Sequence, residues 1–387
     1  MRVLITGVDF KPMIGGIAEY THQIAYHLHM AGDKVIILAK KLDNAKDFDS
    51  SVPYKIYRDD FEFIKKSKIK RFRYGFKYFR NFLKNHSIDV IINNSYSKLS
   101  IIACAVANYL RIPFAIFSHG LEVNVKELSI RLRMMPTFRR ADRVICISSF
   151  TQSLVMRNFG VSQEKTVVIP GGVSLDDFVF GRSKRSSPIT KKFNLENKRV
   201  IYTFGRVVER KGHDVVIEAL PLILKEVPNL VYLIGGTGIY ESKLRQLVSR
   251  YGLEKHVIFA GEVKEKERQA YYDACDLFIM PCRQLENGDV EGFGIVFSEA
   301  NACGKPVIAG KSGGAVDAVI HHKTGLLVDP LNVNEIAYSV IYLLKSPEIA
   351  KKMGENGRHR VEEELSWQTL GKKMRSELVK IAERRHK

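Results

Sequence analysis

The chain has 387 residues, of which 45% are hydrophobic and 27% charged, a composition that excludes an intrinsically disordered or fibrous protein. Its formal net charge of +19 lies mostly in the first 170 residues and predicts an acidic partner: anionic lipid, nucleic acid or a phosphorylated substrate. The five cysteines are odd in number and include no C-x-x-C pair, so neither a disulfide framework nor a zinc site is suggested, and a reducing cytosol fits best.

The chain opens directly on a strand-like run, so we expect no signal peptide. The apolar run over 99–110 is too short to span a bilayer. Apolar runs alternate with helix-length amphipathic segments, which predicts a parallel, doubly wound sheet. The runs lie at 3–7, 34–39, 89–93, 113–118, 143–148 and 165–170.

A polar stretch over 174–198 predicts a linker. The alternation then resumes at 199–204, 230–235, 256–260, 276–281, 305–309 and 325–328. We therefore predict a first domain over 1–173, a second over 199–366, and a charged C-terminal helix over 367–387 that packs back on the first. Two such α/β halves leave a cleft beyond the carboxyl ends of their strands, where open sheets bind ligands.

Gly15 and Gly16 follow the first strand and precede a helix that Gly32 closes. Without a Cβ, the backbone at these positions can approach a ligand closely. A tight turn would use the same residues, so the local sequence leaves both interpretations open.

Apolar residues recur at spacings of three and four between Ile69 and Lys84, which predicts an amphipathic helix with a basic edge. Either the aromatic side packs on the sheet and the basic edge is solvated, or the helix docks on an anionic membrane near a lipid-linked acceptor. The candidate membrane and acceptor contacts, including those of a second basic stretch, are Arg73, Lys77, Arg80, Lys84, Arg131 and Arg133.

His119 comes directly after an apolar strand, at its carboxyl end, and this position favours a site residue over a structural histidine. Arg206 and Lys211 flank the loop after the strand 199–204, where two cations can converge on a pyrophosphate. A solvated basic loop is the alternative. Gly236 and Gly238 form a turn suited to a flat or phosphorylated group, without the order of a dinucleotide fingerprint.

The run from Glu291 to Glu299 reads as a loop, a turn at Gly294 and the start of a helix that ends near Gly304. Amides at a helix N-terminus suit a phosphate, and ionised carboxylates accept hydrogen bonds from sugar hydroxyls. The combination suggests a sugar nucleotide. The alternative is an ordinary strand-to-helix turn with exposed glutamates.

Together these motifs resemble the retaining nucleotide-sugar glycosyltransferases of family 4, which have the GT-B fold. The resemblance covers nearly the whole chain in order and implies two doubly wound, Rossmann-like α/β domains facing each other across a cleft. Pro281-Cys282-Arg283 and Asp289-Val290-Glu291-Gly292 are similar to bacterial mannosyltransferases that use GDP-mannose and lipid acceptors. Where the family often has Pro-Glu after Gly314, this chain has Ala315 and Val316, so donor contacts in that loop stay open.

The resemblance implies a role for each matching residue. Arg206 and Lys211 would neutralise the diphosphate, Glu291 would orient the hydroxyls of the donor sugar, Glu299 would hold the ribose, and His119 would lie near the anomeric carbon. The other implied donor-binding residues are Gly15, Gly16, Gly236, Gly238, Phe293, Gly294 and Ile295.

The resemblance also implies retention of the anomeric configuration by front-face attack, no resident cofactor and no divalent metal. The Asp47-Phe48-Asp49 run, which we place in a polar loop, is therefore not expected to bind a metal ion.

We thus expect a hexosyltransferase, with mannose from GDP-mannose as the first choice, acting on a glycolipid or lipid-linked glycan at the cytoplasmic face of the inner membrane. The alternatives are a UDP-sugar-dependent transferase of polysaccharide synthesis, a sugar-nucleotide epimerase and a non-enzymatic basic binding protein. Nucleic acid is disfavoured because no reading module is recognised. A nicotinamide dehydrogenase is disfavoured because G-x-G-x-x-G is missing after the first strand.

Overall fold

The structure, a computed structural model, describes residues 1–13 and 15–386. Ile14, and Lys387 at the end of the predicted C-terminal helix, lie outside the described residues. The chain divides into two compact units, the first formed by Met1–Gly171 with Trp367–Lys387 and the second by Gly172–Ser366.

Each unit is built on one parallel sheet, as the alternating pattern predicts. The first sheet has the order β3-β2-β1-β4-β5-β6-β7, and its strands are β1 (Arg2–Gly7), β2 (Lys34–Lys40), β3 (Lys55–Asp59), β4 (Val90–Asn93), β5 (Phe114–Ser118), β6 (Arg143–Cys146) and β7 (Thr166–Val168). The second has the order β10-β9-β8-β11-β12-β13, with β8 (Arg199–Phe204), β9 (Leu230–Gly235), β10 (Val257–Gly261), β11 (Leu277–Met280), β12 (Val307–Gly310) and β13 (Gly325–Val328).

Helices connect the strands and cover the sheets. In chain order they are α1 (Gly16–Met30), α2 (Lys46–Ser51), α3 (Lys68–His86), α4 (Lys98–Tyr109), α5 (Leu128–Arg140), α6 (Ser149–Phe159), α7 (Pro188–Lys192), α8 (His213–Glu226), α9 (Glu241–Arg250), α10 (Arg268–Ala274), α11 (Ile295–Ala302), α12 (Ala315–Ala318), α13 (Val333–Lys345), α14 (Pro347–Arg360) and α15 (Trp367–His386). None of the helices in the described ranges combines the length and apolar character that a membrane crossing requires.

The sequence pattern missed one strand, β3. This strand lies at the edge of the first sheet, pairs with β2, and is exposed or half-buried along its length. Because an edge strand tolerates charged side chains such as Lys55 and Arg58, it carries no continuous apolar run. The signal that identifies the buried strands is therefore absent there.

The stretch 174–198, which the sequence presents as a linker, lies within the second unit. Phe178, Ile189 and Leu195 are buried. The backbone of Val179 exchanges hydrogen bonds with the Gln269 side chain, at 2.7 and 3.1 Å. The Phe178 ring packs against Tyr272 of α10 at 5.9 Å, so the stretch is part of the second unit.

The C-terminal helix α15 packs against α1 in the first unit. Its buried Trp367 and Met374 belong to the same apolar cluster as Ile24 and Leu28 of α1. At the other end of the contact, the buried Asp33 carboxylate accepts from the N-terminal amino group at 2.8 Å and from Arg375 at 2.9 Å. The last segment of the chain is therefore part of the first unit's core.

Each sheet contains a point where the strand order reverses, between β1 and β4 in the first and between β8 and β11 in the second. Connections on the two sides of such a point lead to opposite faces of the sheet, and the loops at the carboxyl ends separate to leave a crevice. Gly15 and Gly16 follow β1 at the first of these points, and the loops that carry Lys211 and Glu291 follow β8 and β11 at the second.

We expect Trp367→Ala to destabilise the first unit by about 3–5 kcal/mol, because a large buried side chain is replaced by a cavity. Tyr338→Ala, which truncates an exposed aromatic on α13, is the control and should change stability by less than about 0.5 kcal/mol. Urea unfolding followed by circular dichroism measures both. Equal effects of the two variants would contradict the packing of α15.

Candidate functional site

Two loops of the second unit meet at the reversal of strand order. The loop 205–212 follows β8 and the loop 281–294 follows β11, and these strands are neighbours in the sheet. A carboxylate from the second loop binds two cations from the first: Glu291 Oε2 lies 2.5 Å from Arg210 Nη1 and 2.6 Å from Lys211 Nζ. The three charged groups lie at the carboxyl edge of the sheet, where a ligand of an α/β domain is expected.

Glu291 is held ionised by these contacts. Its side chain is only 13% exposed. Burial alone would raise the pKa of the carboxyl, but Lys211 and Arg210 outweigh it and lower the pKa to about 2. For Arg210, burial acts to lower the pKa, and Glu291 reverses the effect and raises it. Glu291 thus stays ionised at neutral pH beside the charged Arg210 guanidinium.

Arg283 ties the two loops together. Its guanidinium donates to both carboxylate oxygens of Asp214, at 2.9 and 2.7 Å, and its backbone N–H donates to the Arg210 carbonyl at 2.8 Å. Burial would raise the pKa of Asp214, but the bonds from Arg283 and Tyr240 lower it. Because Asp214 is in the first turn of α8, this network orients the turn that carries Arg210 and Lys211.

Helix α11 begins at the predicted place, with Gly294 in a left-handed conformation (φ 87°) and no side chain capping its first amides. These amides can serve an anion, as expected of an uncapped helix N-terminus. Phe293 is buried beside them and Ile295 is half-buried. The backbone of Glu291 is anchored by Gly314, whose N–H donates to the Glu291 carbonyl at 2.9 Å.

Glu299 lies inside α11 rather than on an exposed face. Its carboxylate accepts from the Tyr272 hydroxyl at 2.7 Å and from Arg268 at 3.3 Å, and its side chain is buried. The interpretation of both glutamates as exposed surface residues is therefore wrong.

The remaining predicted residues of this unit lie nearby but differ in environment. Arg206 is exposed and pairs with no carboxylate in the described part of the chain. A Cβ on Gly236 would lie 2.0 Å from the Gly205 carbonyl oxygen, and one on Gly238 would lie 2.2 Å from that of Val207. Tight backbone packing between these two loops thus accounts for both glycines without a ligand.

His119 of the first unit is half-buried and follows β5, as predicted. Its Nε2 lies 2.8 Å from the Asn94 carbonyl oxygen and donates to it, because a carbonyl oxygen can only accept. Its backbone N–H donates to Glu122 Oε1 at 2.5 Å. Tyr20 packs edge-on against His119 at 5.5 Å and against Trp367 at the same distance.

Gly15 and Gly16 lie at the start of α1, Gly15 as the residue before its first turn. A Cβ at either position would meet no described atom within 4 Å, and no side chain caps the helix. The backbone is therefore open on this side, as close approach of a ligand would require.

The predicted amphipathic helix is confirmed as α3, but its two halves differ. Phe79 and Leu83 are buried in the core of the first unit. In the N-terminal half, Ile69 is 82% and Phe72 44% exposed. The basic edge Arg73, Lys77, Arg80 and Lys84 is exposed along the whole helix.

The second basic stretch lies in α5. Leu128 and Leu132 are exposed one turn apart, and Arg133 is exposed beside them. Arg131 is half-buried, with its Nε donating to the Val125 carbonyl at 2.6 Å. Exposed leucines next to arginines repeat the apolar and basic combination of α3.

Among the described residues, no group of three or more His, Cys, Asp or Glu side chains could hold a metal ion. The Asp47-Phe48-Asp49 run lies in α2, not in the loop expected from the sequence. Asp49 accepts two hydrogen bonds from Arg58, at 3.0 and 2.6 Å.

Sequence reasoning missed Arg210, Asp214 and Asn94. Arg210 directly precedes Lys211 in the loop that the sequence predicts to bind a pyrophosphate. Its charge in that loop was the signal that could have identified it. Asp214 and Asn94 act through contacts to residues far along the chain, and no local pattern marks them.

Comparison with known proteins covers both units. Residues 14–177 match the family described as Glycosyltransferase Family 4, and residues 186–360 match Glycosyl transferases group 1. The GDP-mannose-dependent alpha-(1-6)-phosphatidylinositol monomannoside mannosyltransferase of Mycobacterium tuberculosis is 32% identical over 381 residues, which cover 96% of this chain and 97% of that protein.

Solved structures with the same fold include a glycosyltransferase from Rickettsia africae, with a TM-score of 0.83, 21% identity and 98% of both chains covered. Anabaena HepE in complex with UDP gives a TM-score of 0.81 and 22% identity, covering 98% of this chain and 100% of that one. At these identities the likeness concerns the fold alone, and it confirms the predicted GT-B class.

We expect the stability supplied by Glu291 to depend on pH. Its folded-state pKa lies below the value of about 4.3 for an unfolded glutamate, so the ionised group stabilises the fold above that pH. This contribution is lost as the pH falls towards the folded pKa. Glu291→Gln should therefore destabilise by a few kcal/mol at about pH 7, and its difference from wild type should shrink between about pH 5 and 3.

Urea unfolding at several pH values measures this difference. Glu241→Gln is the control, because Glu241 pairs with Arg245 one turn along α9 at the surface. The control should cost less than about 0.5 kcal/mol at every pH. A pH-independent effect of Glu291→Gln would contradict the assignment.

Proposed function

The chain belongs to glycosyltransferase family 4, and we propose that it transfers mannose from GDP-mannose, with retention, to a lipid-linked acceptor at an anionic membrane surface. The observation that carries this proposal is the convergence of Lys211 and Arg210 on Glu291 at the reversal of strand order in the second unit. The choice of donor follows the mycobacterial relative, whose name specifies GDP-mannose.

The diphosphate of the donor would bind where cations and free amides are available together. Lys211 has three N–H donors and uses one on Glu291, and Arg206 is exposed in the same loop. The uncapped first turn of α11 adds backbone N–H groups and the positive end of a helix dipole. This combination would stabilise a departing diphosphate without a divalent metal.

Glu291 would orient the donor sugar. Because its carboxylate is ionised at neutral pH, it accepts charge-assisted hydrogen bonds from sugar hydroxyls. Glu299 would accept from the ribose hydroxyls of the nucleotide, with Tyr272 and Arg268 fixing its carboxylate. For His119 we propose a contact to the transferred sugar through Nδ1, because Nε2 is used by the bond to Asn94.

The reaction would proceed on one face of the sugar. The acceptor hydroxyl oxygen forms a bond to the anomeric carbon while the bond from that carbon to the diphosphate oxygen breaks. The proton of the acceptor hydroxyl passes to the departing diphosphate, which leaves as the nucleoside diphosphate. Charge develops on that leaving group, so cations placed there lower the barrier of this step.

We expect Lys211→Ala and Glu291→Ala each to lower kcat/KM by at least ~10²-fold, because each removes a contact to the transition state. Arg245→Gln, a surface change on α9, should leave it unchanged. Turnover is measured with GDP-mannose, UDP-glucose, UDP-galactose and UDP-GlcNAc, with and without a chelator. NMR of the product gives the anomeric configuration.

Near-normal turnover of the two variants would refute the site. Inversion would refute the retaining mechanism, loss of turnover in the chelator would refute metal independence, and turnover with a UDP-sugar alone would replace the proposed donor. A donor at 100 times its dissociation constant should also raise stability by about 2.7 kcal/mol.

We propose that the exposed apolar and basic surfaces of α3 and α5 hold the enzyme on the cytoplasmic face of the inner membrane. Ile69 and Phe72 would enter the interface, as would Leu128 and Leu132. The buried Phe79 keeps the other half of α3 in the core. The neighbouring lysines and arginines would each contribute about 1 kcal/mol at an anionic surface.

We expect the quadruple change of Arg73, Lys77, Arg80 and Lys84 to Gln to abolish flotation with vesicles that contain anionic lipid. A control of equal net charge changes the exposed Lys225, Arg250, Lys351 and Lys352 of the second unit to Gln and should float as the wild type does. Phe72→Ser should weaken binding at every salt concentration, since it removes apolar burial rather than charge. Equal loss in both quadruple variants would leave only a general charge effect and refute the docking surface.

A further inference from the structure

The two cations on Glu291 are equally buried but differ in their other contacts: the side chain of Arg210 is 10% and that of Lys211 9% exposed. Arg210 Nε also lies 3.2 Å from Asp289 Oδ1, and the Arg210 carbonyl accepts from the Arg283 N–H. For the Lys211 ammonium, Glu291 is the one hydrogen-bond partner that the described contacts provide. Arg210 therefore has a second carboxylate close to its guanidinium, although Nε forms no hydrogen bond with it, while Lys211 retains donors for a ligand.

A bound diphosphate changes the balance of charge around Glu291. In the proposed function Lys211 binds that diphosphate, so its charge is shared with a dianion near the carboxylate. Like charges disfavour the ionised form of a carboxyl group and push it away from its neighbour. A second cation that does not bind the diphosphate is therefore needed to keep Glu291 ionised and in place when the donor binds.

We propose that Arg210 is a positioning residue that keeps Glu291 ionised and directed at the donor sugar while Lys211 binds the diphosphate. This inference rests on the proposed function and assigns a separate task to each cation. A guanidinium keeps its proton under all conditions in which the protein is folded, and its planar fork loses little freedom when it binds a carboxylate.

Arg210 is poorly suited to bind the diphosphate itself. Its charge is already shared by two carboxylates, Glu291 at 2.5 Å and Asp289 at 3.2 Å. The net charge of this group of three is negative, whereas Arg206 and Lys211 remain for the anion. Loss of Arg210 should therefore affect recognition of the sugar and leave recognition of the diphosphate intact.

Calorimetric titration with GDP and with GDP-mannose distinguishes the two roles. For Arg210→Gln we expect GDP to bind within about twofold of wild type and GDP-mannose about tenfold more weakly, which corresponds to about 1.4 kcal/mol. Arg210→Lys should recover part of the difference. Equal weakening of both ligands would make Arg210 a diphosphate ligand and overturn the proposal.

The pH dependence of kcat/KM supplies a second measurement. The charged groups facing Glu291 are Arg210, Lys211 and, through Arg210, Asp289, while burial raises the pKa of the nearby Cys282 thiol to about 12 and keeps it neutral. Arg210→Gln should move the acid limb upward by about one pH unit, because one of two opposite charges is lost. Asp289→Asn should leave that limb in place.

A uniform fall in rate at all pH values would indicate a purely structural role and overturn the proposal. The control is Arg245→Gln, which removes a surface arginine of α9 and should match the wild type in both measurements. If the wild type binds neither GDP nor GDP-mannose, the proposed donor fails, and the same comparison with UDP and UDP-glucose tests Arg210.

Discussion

Electrostatic attraction between Glu291 and two cations, Arg210 and Lys211, organises the second unit at the carboxyl edge of its sheet. The two cations lie in the loop after β8 and the carboxylate in the loop after β11. These loops diverge at the reversal of strand order, and the interaction holds them together. A buried carboxylate is tolerated there only because opposite charges outweigh its desolvation. The Glu291 carboxylate therefore stays ionised beside the Lys211 ammonium, which still has N–H donors for a ligand.

The surroundings of that group keep it in one arrangement. Arg283 bonds to Asp214 at the start of α8 and to the backbone of Arg210, and Gly314 supports the backbone of Glu291. A site assembled on loops needs such supporting contacts, since small displacements of a reacting group are costly to catalysis. In the first unit Asn94 has the corresponding task, because its carbonyl accepts from His119 Nε2 and orients the ring.

The two ends of α3 illustrate how one helix serves two purposes. Its C-terminal half buries Phe79 and Leu83 against the sheet, which anchors it in the first unit. Its N-terminal half leaves Ile69 and Phe72 exposed among basic residues. These exposed aromatic and aliphatic side chains are the basis of the docking surface that we propose.

The amino-acid sequence by itself determined the alternation of strands and helices and the two doubly wound sheets. It also placed His119 at the end of a strand, Lys211 in the loop after the strand 199–204, and Glu291 in the loop before a helix. These features are local, because hydrophobic periodicity, the positions of glycines and the ends of apolar runs depend on neighbouring residues. Strand β3 was not predicted, because an edge strand needs no continuous apolar run.

Only the tertiary structure decided which charges meet. It paired Glu291 with Arg210, a residue 81 positions away in sequence, left Arg206 exposed, and buried Glu299 against Tyr272. It also showed that Gly236 and Gly238 are required by backbone packing between loops. Such contacts depend on where folded strands place distant loops, and the energy of a charge depends on burial and partners that no local pattern records.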